Sequence, residues 1–164
     1  MLIGLTSRNA AGKDEVARYL AECHGFRVFG LSDVLRRRLS ERGEEITRET
    51  LSAEGNRLRA ERGPGTLAEL ALEDLADADK AVVVSIRNPG EVETLRAGRD
   101  DFRMWAVDAP VGVRFRRAHA RGRSDDALTL EQFIRQEQAE LEGSETEQQL
   151  ERVFDMADEV IDNA

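Results

Sequence analysis

The chain has 164 residues, of which 40% are apolar and 35% are charged, so it can bury a core and is expected to form one domain over residues 1–164. Its formal net charge of −9 argues against a general binder of nucleic acid or of anionic membranes, because both would repel it overall. The only cysteine, Cys23, cannot form an internal disulfide, and the sequence shows no signal peptide or long apolar span. We therefore expect a cytoplasmic monomer or homodimer whose partner is a small molecule.

The apolar run Leu2–Thr6 predicts a first strand, which is followed by a loop of small residues ending in Gly-Lys. Gly12 and Lys13 match the P-loop (Walker A) pattern G-x-x-x-x-G-K-[ST], whereas Ser7 stands at the first glycine position and Asp14 replaces the hydroxyl residue. In such a loop the backbone N–H groups and the start of the next helix bind phosphates, and the lysine contacts the outer ones. The competing interpretation is a strand-to-helix turn with a solvated lysine. We predict that ATP binds to Ser7, Arg8, Asn9, Ala10, Ala11, Gly12, Lys13 and Asp14.

Apolar runs alternate with helical patterns along the rest of the chain. The first helix, about Gly12 to His24, precedes Gly25, a suitable residue for a helix end. Parallel strands need crossover connections, so the alternation predicts an α/β fold of the P-loop NTPase type, a five-stranded parallel sheet with helices on both faces. The four further strands are predicted at Phe26–Phe29, Ala81–Ile86, Met104–Val107 and Glu159–Ile161. Capping boxes predict helix starts at Thr66-x-x-Glu69, Thr129-x-x-Gln132 and Ser144-x-x-Glu147.

Asp33 follows the second predicted strand, and the carboxyl ends of parallel strands form the ligand crevice of such a sheet. A carboxylate there can orient an acceptor hydroxyl and accept its proton, although capping of a helix by Ser32 or Asp33 explains the same residues equally well. The helical stretch 32–79 exceeds a simple crossover and predicts an insertion that binds the acceptor. Most of its arginines should pair with neighbouring Glu residues, and the candidates for contact with a substrate phosphate are Arg36 and Arg57.

The third strand delivers Arg87 to the same edge of the sheet, which makes Arg87 a candidate for catalysis and for acceptor binding. A P-loop kinase would normally end this strand with an Asp that holds magnesium, but Val84 and Ser85 occupy the candidate positions. Asp14 could supply a carboxylate to Mg²⁺ instead, directly or through water. Its alternative role is a negative charge in the first turn of a helix, where the macrodipole favours it.

Positive charge is concentrated after the fourth strand of this acidic chain. Such a concentration before a small polar turn predicts a lid over residues 114–128, in which an arginine stabilises charge on the transferring group. A helix with one solvated basic face is the alternative. The arginines are Arg114, Arg116, Arg117, Arg121 and Arg123.

Seven short motifs are spread over nearly the whole chain: Gly12-Lys13-Asp14, Ser32-Asp33-Val34, Thr47-Arg48-Glu49-x-Leu51, Arg62-Gly63-Pro64, Ile86-Arg87-Asn88-Pro89-x-Glu91-Val92-Glu93, Arg121-Gly122-Arg123-x-Asp125-Asp126 and Ala157-Asp158-Glu159-Val160-Ile161-Asp162-Asn163. Together they resemble the small P-loop nucleotide kinases related to dephospho-CoA kinase. The resemblance implies Asp33 as the catalytic base, Arg121 and Arg123 as lid residues that close over ATP, and Asn163 near the base of the nucleotide. The Gly-Lys-Asp form is also similar to deoxynucleoside monophosphate kinases. The acceptor group, a hydroxyl or a phosphate, therefore stays open.

These features predict a phosphotransferase that uses ATP and magnesium to phosphorylate a small nucleotide-like acceptor. The alternative is an ATP-binding regulatory module of the same fold without kinase activity, which the missing Asp of the third strand would permit. A GTPase is disfavoured because the Asn-Lys-x-Asp signature is absent, and a dinucleotide oxidoreductase because no G-x-G-x-x-G follows the first strand. The predicted catalytic residues are Lys13, Asp33, Arg87, Arg121 and Arg123.

Overall fold

The structure is a computed structural model that describes residues 1–122, 129–141 and 149–164. Within these residues, no helix is both long and apolar enough to cross a membrane. Strands and helices follow one another in this order: β1 (Leu2–Ser7), α1 (Lys13–His24), β2 (Arg27–Gly30), α2 (Leu31–Glu41), α3 (Arg48–Arg62), α4 (Thr66–Asp74), β3 (Ala81–Val84), α5 (Pro89–Gly98), β4 (Phe102–Asp108), α6 (Val111–Arg121), α7 (Leu130–Leu141), α8 (Leu150–Asp155) and β5 (Glu159–Asp162).

The five strands form one parallel sheet in the order β2-β3-β1-β4-β5, which confirms the predicted fold. Strand β1 is central, because Leu2 pairs with Ala81 of β3 on one side and with Phe102 of β4 on the other. All six residues of β1 are buried, as expected for a strand covered on both faces. The carboxyl ends of all five strands point to one edge of the sheet, where ligands bind in open α/β folds.

Helices cover both faces of the sheet, and neighbouring residues of β3 show the division. Val83 packs with Leu31, Leu58 and other residues of α2 to α5, whereas Val82 packs on the opposite face with Leu20 of α1. Successive side chains of a strand alternate between faces, so a short apolar run such as Ala81–Val84 supplies two cores at once. The site described below lies at the strand ends between these two layers.

Two of the predicted helix boundaries are confirmed. Gly25 ends α1 in the left-handed conformation with φ 71°, which glycine adopts without a steric cost. Thr129 and Gln132 form the predicted capping box, with two reciprocal hydrogen bonds of 3.2 Å. The predicted box Ser144-x-x-Glu147 lies outside the described residues.

The predicted box at Thr66 is wrong. Gly65 occupies the cap position of α4, and no side chain caps this helix start. Thr66 is already the first helical residue, so its hydroxyl is too far into the helix to cap it, and this oxygen has no partner among the described residues. Gly65 is required there because a Cβ at this position would collide with Oγ1 of Thr94 in α5.

The insertion consists of α2, α3 and α4, and a buried carboxylate joins the first two. Glu54 of α3 accepts hydrogen bonds from Arg38 at 2.9 Å, from Arg42 at 2.9 Å and from Arg57 at 2.9 Å. Burial by itself would raise the pKa of Glu54, but these hydrogen bonds from Arg57, Arg42 and Arg38 lower it from 4.5 to about 2. Several arginines of the insertion are therefore structural.

Candidate active site

The loop between β1 and α1 has the backbone conformation that an anion-binding loop needs. Ala10 has φ 59° and Gly12 has φ 99°, both left-handed, so the chain turns sharply before α1 begins at Lys13. Consecutive N–H groups in such turns converge on one point, and the positive end of the helix macrodipole reinforces them. A side chain at position 12 would also collide with Nδ2 of Asn163. The loop thus suits phosphate groups, and a glycine at position 12 is needed to close it.

Lys13 and Asp14 stand together at the start of α1. Nζ of Lys13 donates to Oδ1 of Asp14 at 2.5 Å, and both side chains line the same cleft. The Asp14 side chain is 72% exposed, so it can reach a ligand. Magnesium in kinases is usually held by one or two carboxylates together with substrate phosphates and water. The described residues contain no cluster of three or more potential metal ligands, so a protein ligand for magnesium in this cleft would be a single carboxylate such as Asp14.

A cleft of about 1030 Å³ opens between this loop, the insertion, the end of β3 and α6. Ligand sites commonly enclose roughly 300–1,000 Å³, so there is room for two small substrates side by side. The structure brings together here residues that the sequence singled out from four separate segments. They are Ser7, Asn9, Ala10, Gly12, Lys13, Asp14, Asp33, Arg36, Arg87 and Arg121.

Asp33 lies in the first turn of α2, where its carboxylate folds back over the end of β2. A Cβ at Gly30 would collide with Oδ2 of Asp33, so the glycine makes room for this arrangement. The helix begins at Leu31 with Gly30 as its cap, and no side chain caps it. Capping by Ser32 or Asp33 is therefore not what the structure shows. Arg36 lies 3.4 Å from the Asp33 carboxylate, whose side chain is 68% exposed and faces the cleft.

Other predicted site residues lie elsewhere. Arg57 pairs with Glu54 and with Glu61 at 2.7 Å and is not among the described residues that line the cleft. Arg8 turns to Asp108, 3.3 Å away, with its guanidinium 5.1 Å from the centre of the Phe154 ring.

For two further predicted residues, Ala11 and Arg123, the structure describes no side chain in the cleft. The side chain of Ala11 is fully buried in the core, so only its backbone can belong to the site. Arg123 lies outside the described residues.

Asn163, beyond the end of β5, holds the loop from behind. Its Nδ2 donates to the Ala11 carbonyl at 2.9 Å, and its own carbonyl accepts from Nη1 of Arg117 at 2.8 Å. Arg117 also lines the cleft. The C-terminal segment, the phosphate loop and α6 are thus joined by two hydrogen bonds through one residue.

The first arginine of the predicted lid is an internal anchor. Arg114 is buried, donates to the Ala109 carbonyl at 2.7 Å and to the Asn9 carbonyl at 3.4 Å, and forms a two-point ion pair with Glu137 of α7. A planar guanidinium suits such multiple recognition. Arg114 therefore fixes α6 and α7 to the phosphate loop, while Arg117 and Arg121 further along α6 face the cleft.

The cleft also contains residues that were not assigned to the site from the sequence, among them Arg59, Ser85 and Arg117, the last of which was predicted only as part of the lid. For Arg117 a signal existed, because Arg114, Arg117 and Arg121 recur at the spacing of one helix face. Ser85 has φ 69°, an uncommon conformation for a residue with a side chain, at the point where β3 leaves the sheet. No sequence pattern indicates such a conformation at a serine. Arg59 is considered further below.

An all-parallel sheet in this strand order, with a Gly-Lys loop between the central strand and the first helix, defines the fold of the P-loop kinases. Solved structures agree. A sugar kinase from Janibacter sp. superimposes with a TM-score of 0.56 at 18% identity, over 98% of this chain and 84% of that one. A shikimate kinase from Acinetobacter baumannii in complex with shikimate gives 0.55 at 17% identity, over 98% and 82%. At such identities the likeness shows the fold.

Relatives in sequence define the family. A UPF0200 protein from Pyrococcus abyssi is 36% identical over 147 residues, which cover 86% of this chain and 78% of that protein. A UPF0200 protein from Methanothermobacter thermautotrophicus is 34% identical over 143 residues, covering 86% and 72%. The chain belongs to the UPF0200 family. No model of a protein family matches it.

Proposed function

We propose that this protein is a phosphotransferase that uses ATP and magnesium to phosphorylate a small nucleotide-like acceptor. One observation carries the proposal: a single cleft is lined by the phosphate-type loop with Lys13, by the Asp33 carboxylate and by residues of the insertion. Solved structures of the same fold described as a sugar kinase, a gluconokinase and a shikimate kinase support a small acceptor. The resemblance to dephospho-CoA kinase favours a nucleotide-like one.

On the donor side, residues of the chain would bind and neutralise the negative charge of the ATP phosphates. ATP with Mg²⁺ would supply the phosphoryl group and neutralise part of its charge. The N–H groups of the loop and the Lys13 ammonium would hold the outer phosphates, and Asp14 would provide the carboxylate for magnesium. Arg121 lines the same cleft and would stabilise the charge that develops during transfer. Asn163 would act indirectly, by holding the loop in shape through Ala11.

On the acceptor side, Asp33 would act as the general base. Its carboxylate would take the proton of the acceptor hydroxyl as the hydroxyl oxygen forms a bond to the γ-phosphorus, while the bond from that phosphorus to the β–γ bridging oxygen breaks and ADP leaves. The proton would then pass from Asp33 to water, to which this side chain is open. A phosphate acceptor would need no such base.

A coupled assay of ADP release across nucleosides, nucleoside monophosphates and dephospho-CoA tests the proposal. We expect ADP release that depends on an acceptor and on magnesium, and that is lost in Lys13→Ala. Slow ATP hydrolysis that no acceptor stimulates would contradict a kinase.

The regulatory alternative has one observation in its favour. Strand β3 ends at Val84 and Ser85 follows it, and neither residue has the carboxylate that usually holds magnesium in P-loop kinases. A regulatory module would bind ATP with unchanged affinity in the presence of every acceptor and would not release ADP. Equilibrium binding of ATP measured beside the turnover assay separates the two functions.

A further inference from the structure

Arg59 differs from the other arginines of the insertion because it is buried and yet lines the cleft. Its side chain is 4% exposed and reaches from α3 towards the start of α5. Nε and Nη2 donate to Oε1 of Glu91 at 3.0 and 2.7 Å. Burying a guanidinium costs desolvation free energy unless groups of opposite charge or hydrogen-bond acceptors surround it. The partners of Arg59 therefore indicate its role.

Glu91 holds Arg59 in one orientation. The Glu91 side chain is fully buried, and its second oxygen, Oε2, accepts from the N–H groups of Arg87 at 2.9 Å and of Asn88 at 3.1 Å. All four bonds run to one carboxylate, which therefore fixes both the guanidinium plane and the turn that carries Arg87 into the cleft. Glu91 binds the edge of the guanidinium formed by Nε and Nη2, so Nη1 lies on the side that faces away from Glu91.

Gly55 keeps that other side open. It also lines the cleft, one helical turn before Arg59, and a Cβ there would lie 3.2 Å from Nη1 of Arg59. Nη1 donates to Oδ1 of Asn56 over a long distance, 3.4 Å. A glycine inside a helix is unfavourable by itself, so its presence beside this guanidinium is notable. Because position 55 has no side chain, nothing covers Nη1 of Arg59 from that position.

The charge of the cleft points to the same ligand chemistry. Although the whole chain carries −9, the described residues that line the cleft include seven cations and four carboxylates. Lys13, Arg117 and Arg121 come from α1 and α6 and serve the phosphate loop. Arg36, Arg48 and Arg59 come from the insertion. Asp33 and Glu45 line the same side, so the insertion part of the lining keeps a net charge of +1, which favours an anion there.

We infer that Arg59 binds a carboxylate or phosphate that the acceptor carries in addition to the group that receives the phosphoryl. Glu91 is its positioning residue, and Gly55 provides the access. This inference rests on the proposed function, since it divides the cleft into a donor and an acceptor part. The competing explanation is that the Arg59–Glu91 pair only ties α3 to α5.

The test uses protein saturated with the non-hydrolysable analogue AMP-PNP and magnesium, so that the phosphate loop is occupied. Inorganic phosphate is then titrated calorimetrically into this complex. We expect saturable binding to the wild type that weakens at least tenfold in Arg59→Gln, whereas AMP-PNP binding does not change. Arg62→Gln is the matched control, because it removes one positive charge from an exposed position of the same helix.

Two further variants guard against misfolding. The double variant Arg59→Gln, Glu91→Gln leaves no unpaired buried carboxylate. Gly55→Ala keeps the charges of Arg59 and Glu91 and narrows the access to Nη1. Both variants should weaken phosphate binding and leave AMP-PNP binding unchanged. Paired acceptors, ribose against ribose 5-phosphate and glucose against gluconate, provide the activity readout, and ADP release should favour the anionic member only when Arg59 is present.

The outcomes distinguish a failure of the inference about Arg59 from a failure of the proposed function. Absence of phosphate binding to the AMP-PNP complex, or equal phosphate binding by Arg59→Gln and Arg62→Gln, overturns the inference and leaves the tie between helices as the role of Arg59. Failure of the wild type to bind AMP-PNP overturns the proposed function itself, and the inference with it.

Discussion

The phosphate end and the insertion end of the cleft are built in different ways. The phosphate end comes from one continuous segment, residues 7–14, and its properties follow from local backbone conformation and one lysine. The insertion end is assembled from α2, α3 and the turn after β3, and Arg36, Arg57 and Arg59 there each pair with a different carboxylate. The geometry of the phosphate end therefore follows from the local sequence, whereas the orientation of the arginines at the insertion end depends on how the helices pack.

Arg57 and Arg59 show how strongly the packing of one helix affects the role of its arginines. The two residues are identical in type and lie on the same helix, but two positions of a helix point about 200° apart. Arg57 meets Glu54 and Glu61 outside the cleft, and Arg59 meets Glu91 at its wall. Two arginines of one helix can thus face away from the cleft and towards it, and the predictions below test that assignment from both ends.

The largest effect is expected at the phosphate end. Lys13→Ala should reduce phosphoryl transfer to background and weaken ATP binding, because backbone donors alone cannot neutralise the outer phosphate. Lys80→Ala is the matched control, since Lys80 is the only other lysine of the sequence and is exposed. Turnover and ATP titration measure the effect. Near-normal turnover in Lys13→Ala would remove the assignment of the loop.

Asp33→Asn should lower transfer by roughly two to four orders of magnitude if Asp33 takes the proton of an acceptor hydroxyl. ATP binding and the melting temperature should persist, because the exposed pair with Arg36 contributes little stability. A single-turnover assay and a melting curve measure both. An active Asp33→Asn enzyme would instead indicate a phosphate acceptor.

Gly30→Ala refines this test, because it keeps every charged group and only pushes Oδ2 of Asp33 out of its position over Gly30. A loss smaller than that of Asp33→Asn is expected. The φ of −94° at Gly30 is accessible to alanine, so the backbone should tolerate the change. Full activity of Gly30→Ala would mean that the folded-back position of the carboxylate does not matter.

Much of this architecture was predictable, and the errors have physical reasons. All five strands and their parallel pairing follow from apolar runs separated by helical patterns, and the phosphate loop follows from Gly12 and Lys13. The cap at Thr66 failed because Gly65 takes the cap position, where its close approach to Thr94, far away in sequence, leaves no room for a side chain. Arg57 was preferred over Arg59 because only the packing of α3 against α5 shows which of the two faces the cleft.

A smaller effect on rate is expected at α6. Arg121→Ala should lower kcat by about 10²-fold with less change in ATP affinity, because a residue that stabilises developing charge acts mainly on the transition state. Arg116→Ala, an exposed arginine of the same helix, is the control and should change neither. Steady-state kinetics with varied ATP give both constants. Equal, small effects at Arg121 and Arg116 would favour a solvated basic face.

The smallest effect on activity, and a clear effect on stability, is expected at Glu54. Its pKa is lowered from 4.5 to about 2 in the folded protein, so its contribution to stability is fully present above about pH 4.5 and is lost as the pH falls through 2. The shift corresponds to a contribution on the order of 2 kcal/mol after allowance for the partly exposed arginines. The free energy of unfolding in urea should differ between wild type and Glu54→Gln at pH 7, and the difference should vanish as the pH approaches 2.

Glu61→Gln is the control, because it removes an exposed partner of Arg57 and should lower the free energy of unfolding much less. Because Glu54 binds Arg38, Arg42 and Arg57 away from the cleft, kcat at pH 7 should be unchanged in Glu54→Gln wherever the protein stays folded. A large loss of kcat without a loss of stability would place these arginines in the acceptor site and reverse the assignment of Arg57 and Arg59.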